Sequence, residues 1–483
     1  MALADPEKLI ATLRSHEAEA EWFEFKKDTF NPEDVGQYIS ALANSAMLED
    51  KRHSYLIFGI TNNGHDIIGT NVRVRTEKIG GELFEHWITR FLSPKINLAF
   101  ESCTIDGKRI EIICIEPAYD RPVKFRNIAY VRIQSIKKRL EEFPERERTL
   151  WNLTSRYSFE DGIAASHLSK EEIFARFHCK RFAAAIYGPN MSDENILYSL
   201  VADGMLIDNL QGGYDISNLF AIAAARNLHE FRTISHKAPR IITYKGNDRL
   251  HGIDDEIGQT GYVITFPKLL DIVLDKISGK EIFVHGIRKR ERFYPEEAVR
   301  EFIANALIHQ DLTAVGSRPT IEIFKDKIEI TNPGETLIDP DRLIDAPAKS
   351  RNEKLADLMR RAGLCEQRGS GIDRALWAIE AAVQAPPLFQ RVEGSTVVTM
   401  FRATEFGAMS KEDRVRACYQ HASLRKLRND PMSNSTLRTR LGLAKTQSSQ
   451  ASNVIGDTID AGLIKPLDPN QGHRVARYLP YWA

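Results

Sequence analysis

A chain of 483 residues, 42% apolar and 27% charged, holds material for two to four domains at roughly 100–200 residues each. Its 66 Lys plus Arg balance its 66 Asp plus Glu, so no net charge draws the whole chain to polyanions. No apolar run approaches the roughly 18 residues of a membrane span, and the opening MALADPEKLIATLRSHEAEAEWFEF carries acidic residues early with no basic start ahead of an apolar stretch, so a cytoplasmic protein without membrane segments is expected. The five cysteines, Cys103, Cys114, Cys179, Cys365 and Cys418, are scattered and lack the close pairing of zinc sites or disulfide frameworks; they read as buried thiols.

Periodicity and punctuation divide the chain into four α/β or helical segments: residues 1–151, 152–290, 291–406 and 407–483. The first opens with a helical stretch, then WFEFK, the helix-like PEDVGQYISALANSAM, the apolar run SYLIFGI as a strand, and NNGHD as a tight turn. A helix around GELFEHWITRFL and the strands RIEIICIEP and IAYVRIQS complete an α/β domain with a mixed sheet. The second segment is a more helical connecting domain, in which ENILYSLVADGMLIDNLQGGYDIS reads as a helix and short hairpin, a winged-helix fragment; APRIITYKG is strand-like and FPKLLDIVLDKI a long amphipathic helix.

In the third segment long helices alternate with the strands PTIEIFKD, KIEITNPG and STVVTMFRA, which predicts helices on one side of a mostly antiparallel sheet, an α/β sandwich. PEEAVREFIANALIHQD has a buried stripe at Ala298, Val299, Phe302, Ile303, Ala306 and Leu307, with Glu301 and Asn305 four apart and therefore one turn above each other. A carboxylate beside an amide oxygen suits magnesium and the positioning of a water; taken alone, the pair reads equally as surface polar residues. Asn332, Pro333 and Gly334 end a strand, and Gly369 and Gly371 precede a helix whose N-terminal amides suit phosphate.

On REFIANALIHQD, IEITNPGE, KSRNEKLADLM and CEQRGSGIDR this segment resembles the C-terminal ATPase-like domain of proteins related to the DNA helicase RecG, similar in turn to the gyrase, Hsp90, histidine-kinase and MutL superfamily. The resemblance implies ATP and Mg2+ as cofactors, with Glu301 orienting or activating water, Asn305 holding the metal, Gly334 beside the adenine, and Gly369 and Gly371 cradling phosphates. Where the superfamily reads the adenine amino group with an aspartate, this chain has Asn332. Arg351, Asn352 and the His309, Gln310, Asp311 group form a lid, line the site or are loop polar residues. With no GxxxxGK loop and no paired motor domains, helicase activity is not expected; slow Mg-dependent ATP hydrolysis is.

WFEFKKDTF, QYISALANSAM, YLIFGITNNGHDIIG and YVRIQS resemble the Schlafen AlbA-2 domain, whose members include nucleic-acid binders and metal-dependent endoribonucleases with two glutamates and an aspartate. Glu19 and Glu24 fall at the glutamate spacing and Lys26 follows, but Gly59, Ile60, Thr61 and Asn62 stand where the aspartate belongs, so a metal needs Asp66 to move in. Structural pairing of Glu19 and Glu24 with nearby cations stays open. Lys26, Lys124, Arg126 and Arg132, with IKKR at 136–139, are candidate phosphate contacts.

From Gly407 onward 12 Lys/Arg face 6 Asp/Glu. Helices DRVRACYQHASLRKLR, NSTLRTRLG and KTQSSQASNVIGDTIDAG, followed by LIKPLDPNQGHRVARYLP as a hairpin, predict a winged helix-turn-helix. In its third helix Val454, Ile455, Ile459 and Leu463 trace the packed face; Gln447, Ser448, Gln450 and Ser452 point outward to base edges, while Arg438, Arg440, Lys445 and Arg474 hold phosphates. Winged helices also bind proteins. The expectation that follows is an ATP-controlled regulator that binds DNA or RNA, working as a homodimer; the alternatives are an RNA-cleaving defence enzyme with the N-terminal domain as the blade and a winged-helix transcription factor with a vestigial pocket.

Overall fold

The computed structural model describes residues 3, 5–156, 158–284, 287–347, 349–365, 370–470, 472 and 476–483. They form two compact units, one of residues 1–173 with 197–217 and the other of residues 174–196 with 218–483.

In the first unit a four-stranded sheet runs in the order Phe23–Lys26, Ser54–Phe58, Lys108–Ile115, Leu98–Ile105, parallel between the first two strands and antiparallel thereafter. The parallel pair needs a crossover, and the Pro32–Leu48 helix supplies it. Asn31 caps that helix by accepting from the Asp34 N–H, Pro32 stands in its first turn, and Glu33 and Asp34 meet the positive end of its dipole. All five residues of Ser54–Phe58 are buried: Leu56 and Phe58 face Ile39 and Leu42 of the crossover helix, while Tyr55 and Ile57 face Leu9, Ile10 and Leu13 of the Pro6–Arg14 helix. A sheet covered on both faces explains why this strand reads as a continuous apolar run. The NNGHD turn lies between the bridged Ile60 and Ile67, with Gly64 and His65 at positive φ. A second sheet orders Ile136–Arg139, Ile128–Ile133, Lys124–Phe125 and Leu92–Ser93. The expected helix and hairpin of 193–217 give Asp193–Ala202 and the antiparallel strands Leu206–Asp208 and Tyr214–Ser217, joined in their sheet by Ile163–Leu168.

The second unit is built on a six-stranded sheet ordered Gly252–Ile257, Arg240–Tyr244, Thr320–Ile323, Lys327–Pro333, Ser395–Phe401, Leu388–Val392. Every pairing is antiparallel except Arg240–Tyr244 with Thr320–Ile323. The sheet thus draws its first two strands from the segment read as a connecting domain, well before residue 291. A strand that closes a sheet edge is placed by long-range pairing, which local pattern does not report. The Glu296–Ile308 helix packs on this sheet at Lys327–Pro333 and is flanked by the Tyr262–Ile277 and Gly371–Ala381 helices, each packed against it. Beyond them lie three helices, Lys411–Leu427, Asn434–Arg440 and Ser448–Asp460, and a short antiparallel pair, Ile464–Pro466 with Tyr478–Pro480. Their core joins Cys418, Leu437, Val454 and Ile455; Ile459, expected on that packed face, is 37% exposed, and Thr458 takes the buried position instead. Cys114, Cys179 and Cys418 are buried, and Cys103 and Cys365 half-buried. Among the described residues no helix is long and apolar enough to cross a membrane.

Gly36 is a packing glycine: a Cβ there would meet the Phe125 ring at 2.4 Å, and that ring is itself hemmed in by Trp87 and Phe91. Overpacking of about 1–3 kcal/mol exceeds the helix-propensity gain of about 1 kcal/mol for Gly to Ala. Gly36→Ala is therefore expected to be net destabilising, as a lower urea midpoint in equilibrium unfolding.

Candidate functional sites

Lys327–Pro333 alternates, with Ile328, Ile330 and Asn332 turned to the helices. The period of two thus carries an amide to a position that its neighbours use for core packing, and Asn332 is 6% exposed. Opposite it in register stands Thr396, whose hydroxyl donates to the Gly334 carbonyl at 2.8 Å. Asn332 Nδ2 donates to the Pro333 carbonyl at 3.3 Å, which leaves Oδ1 as the free acceptor.

These residues line a cavity of about 420 Å³ between sheet and helices, within the size range of small-molecule sites. Phe302, Ile338, Ile372, Phe389 and Val398 give it an apolar wall; Lys349, Arg351 and Arg360 bring positive charge; Glu301, Asn305 and His309 come from the Glu296–Ile308 helix. Burial raises the Glu301 pKa, against the lowering influence of the neighbouring Asn305 amide and of Arg300 and Arg374. Burial, reinforced by Arg351, pushes the His309 imidazole down to about 4 and keeps it neutral at pH 7.

Gly371 begins the Gly371–Ala381 helix, and Ser370 before it makes no side-chain cap bond. A Cβ on Gly371 would fall 1.8 Å from Glu301 Oε1. A side chain there would displace the carboxylate from its present position, and the amide end of the helix lies on the cavity wall beside it. Gly369 lies outside the described residues. Gly334 is not on the wall: at φ +91° it turns the chain against Asp311, whose Cβ a side chain would meet at 2.8 Å. Of the surrounding polar group, His309 and Arg351 line the cavity. Gln310 is buried, donating to Tyr262 Oη and the Leu307 carbonyl, and Asn352 donates to the Ile308 and Gln310 carbonyls at 2.7 Å each, so both serve the fold. Asp311 accepts from Thr313. Thr396 and Arg360 were not singled out in the sequence; the alternation of STVVTMF carries Thr396 inward, while nothing local marks Arg360.

In the first unit Glu19, Glu24 and Arg132 form one buried cluster. The Arg132 guanidinium lies 2.7 Å from Glu24 and 3.1 Å from Glu19, and it also donates to the Ala20 and Phe23 carbonyls. Arg132 is fully buried and Glu24 is 2% exposed, so the arginine expected to contact phosphate instead neutralises the two glutamates. The sequence could not reveal this, because alternation along IAYVRI gives a position's face and not its cover. Burial and the neighbouring Glu24 push the Glu19 carboxyl up to about 7. Asp66 is exposed on its turn, and among the described residues no group of three or more His, Cys, Asp or Glu is set to hold a metal. Lys26 pairs with Glu24 at 3.1 Å and lies 4.0 Å from the Tyr38 ring centroid, with Lys137 4.4 Å from the same centroid. Arg126 pairs with Glu33, and Lys124, Lys138 and Arg139 are exposed.

In the C-terminal helices Lys445, Ser448, Gln450 and Ser452 are exposed and Gln447 half-buried. Gln447 Oε1 accepts from the Ala444 N–H, while Arg438 donates to the Lys445 carbonyl and to Asn434, which brace the entry to the third helix. Arg440 departs from the phosphate-contact expectation: it is 5% exposed and faces Glu380 at 3.7 Å. Arg474 lies outside the described residues.

Residues 19–141 match the family described as "Schlafen, AlbA_2", and residues 316–400 the family described as "Putative ATP-dependent DNA helicase recG C-terminal". No curated protein matches. Among solved structures, the DIP2311 protein of Corynebacterium diphtheriae is 17% identical over 98% of this chain and 97% of that one, with a TM-score of 0.42. The N-terminal domain of a RecG-related protein from Nitrosomonas europaea is 16% identical over 24% of this chain and 75% of that one, with a TM-score of 0.17.

The raised Glu19 pKa has a definite sign. The folded state holds the proton more tightly than the unfolded chain, so this group's contribution is full below pH 4.5 and is lost as pH rises through about 7. Urea unfolding followed by tryptophan fluorescence is expected to show that decline between pH 5 and 7.5, and Glu19→Gln to flatten it.

Proposed function

We propose that this chain, which carries a Schlafen AlbA_2 domain and a domain of the RecG C-terminal type, is an ATP-binding regulator whose nucleotide state changes how it engages DNA or RNA. The observation that carries the reading is the Gly371–Ala381 helix. At its start Gly371 packs under the Glu301 carboxylate in the cavity. At its end Glu380 meets His421 Nδ1 at 2.6 Å and Arg440 at 3.7 Å, residues of two helices of the C-terminal three-helix domain. A single rigid element touches both sites, so a ligand that shifts one end favours a different docking at the other.

The cavity's chemistry suits magnesium-ATP. The apolar wall and the free Asn332 acceptor fit a purine that offers an amino hydrogen, and Lys349, Arg351 and Arg360 with the uncapped helix amides fit phosphate. Asn305, one turn from Glu301 and on the same cavity wall, would offer its amide oxygen to a hard cation, which also takes phosphate and water oxygens. When bound, Mg2+ would supply charge neutralisation at the phosphates. The Glu301 carboxylate orients a water, and its raised pKa makes it the stronger base. Exposed Lys124, Lys138 and Arg139 in the first unit and Lys445, Ser448 and Gln450 at the third C-terminal helix are the proposed nucleic-acid contacts; three helices followed by a strand pair are the elements of a winged helix-turn-helix.

Calorimetry on the full chain is expected to give magnesium-ATP binding that Gly371→Ala weakens at least about tenfold. Anisotropy with labelled duplex DNA and single-stranded RNA is expected to change with ATP by about 5–150-fold in affinity, and Glu380→Gln to leave ATP binding intact while shrinking that change. Wild-type protein that binds no ATP, or that binds it with no effect on either nucleic acid, would overturn the reading. Base choice is tested separately: ATP should outcompete GTP by at least about tenfold, and Asn332→Leu should erase the preference, since guanine turns a carbonyl toward the Asn332 acceptor.

A further inference from the structure

A second cavity, of about 320 Å³, opens where the Gly371–Ala381 helix meets the helices Lys411–Leu427 and Asn434–Arg440. Its polar walls are His421, Arg425, Arg440, Thr436 and Thr439, with Trp377 on the apolar side. Two of these groups share one carboxylate. The Arg440 side chain is 4% exposed and pairs with Glu380 at 3.7 Å. His421, also 4% exposed, is fixed through Nδ1 by Glu380, and its Nε2 is buried with no hydrogen-bond partner. An unpaired buried polar group costs about 1–3 kcal/mol, so a ligand that reaches His421 Nε2 and adds oxygens to the Arg440 guanidinium would be favoured here.

The charge identifies what that is. Arg425 and Arg440 line the walls with one carboxylate, Glu380; Arg425 is also paired with Asp430, and Arg428, stacked 4.5 Å from the Trp377 ring centroid at the rim, adds a third guanidinium against these two carboxylates. The excess is cationic, which selects an anion. The guanidinium needs an acceptor with several oxygens, and His421 Nε2 needs a partner that can either donate or accept according to the imidazole's state. A phosphomonoester or inorganic phosphate, with acceptor oxygens and one exchangeable proton near neutrality, does both. We propose that this cavity binds a small phosphate-bearing anion, separate from the nucleotide cavity, and that the anion locks the C-terminal helices onto the Gly371–Ala381 helix.

The test uses the full chain saturated with ADP, titrated in a phosphate-free buffer with inorganic phosphate and, separately, with ribose 5-phosphate, following heat and tryptophan fluorescence. Saturable binding of at least one probe tighter than roughly millimolar is expected. It should weaken at least about tenfold in Arg440→Gln and in Thr439→Glu, the latter placing a carboxylate at an exposed wall position that leaves the fold untouched should Arg440→Gln unfold. Tighter binding of ribose 5-phosphate marks an organic phosphate as the ligand, and equal binding marks phosphate itself. Absence of saturable binding by either probe, or binding that Thr439→Glu leaves unchanged, would overturn the proposal.

Discussion

The second unit depends on the packing of the Gly371–Ala381 helix against Glu296–Ile308, which lays the Gly371 backbone beside the Glu301 carboxylate. A side chain at 371 would occupy the place where Glu301 Oε1 now lies, so the glycine lets the carboxylate keep this position. The apolar packing of the Gly371–Ala381 helix, through Ala375, Leu376 and Ile379, holds its phase. Phase in turn determines which residues reach which surface: Ile372 turns to the cavity, Leu376 packs with Ile344 and Leu424, and Glu380 emerges a further turn along to meet His421. The buried carboxylate and the glycine beside it thus share one space in the fold.

In the first unit charge is used in the opposite way. Two glutamates and an arginine are withdrawn from solvent together, and the guanidinium serves two carboxylates and two backbone carbonyls. Because an arginine stays charged at any ordinary pH, the cluster has a permanent central cation, and burial, with the Glu24 charge added, makes Glu19 the carboxyl that holds a proton more tightly. Other cations sit on the strand ends and turns: Lys124 and Lys138 are exposed, and Arg139, also exposed, pairs with Glu141.

Much of this was legible in the sequence where the signal is local. The four-residue spacing of Glu301 and Asn305 does bring both onto the cavity, because helical geometry leaves no choice. Alternation along KIEITNP does turn Asn332 to the same face as Ile328 and Ile330. The turn at NNGHD and the C-terminal helices follow their punctuation. What was not legible depends on partners remote in the chain. Arg132 and Arg440 look like surface cations until Glu24 and Glu380 are brought against them from 108 and 60 residues away. Read locally, the strand-like APRIITYKG belongs to the connecting segment and Gly252–Ile257 is not singled out, yet both join the six-stranded sheet, since a strand's own residues do not say which sheet it joins. Gly334 was expected beside a ligand, but its positive φ serves a turn against Asp311; a glycine's conformational freedom does not distinguish the two uses.

The contact between the C-terminal helices and the nucleotide-type domain is unusually polar for a buried junction, and this bears on what it is for. Along Lys411–Leu427, Arg416 and Gln420 donate to the Pro386 and Pro387 carbonyls, Tyr419 to the Asp341 carbonyl, and His421 meets Glu380; the apolar share is the small cluster of Ile344, Leu376 and Leu424. An apolar junction of the same size would hold more firmly, because buried ion pairs repay little more than their desolvation. Polar partners instead make docking specific in register and cheap to release, since each group recovers water when it parts. The 11-residue Gly371–Ala381 helix spans about 16 Å at 1.5 Å per residue, and on the proposed reading a shift of its first turn would reach Glu380, where the Arg440 pair at 3.7 Å is long and the His421 bond at 2.6 Å is firm. A domain meant to stay attached under every condition would have been joined through leucines.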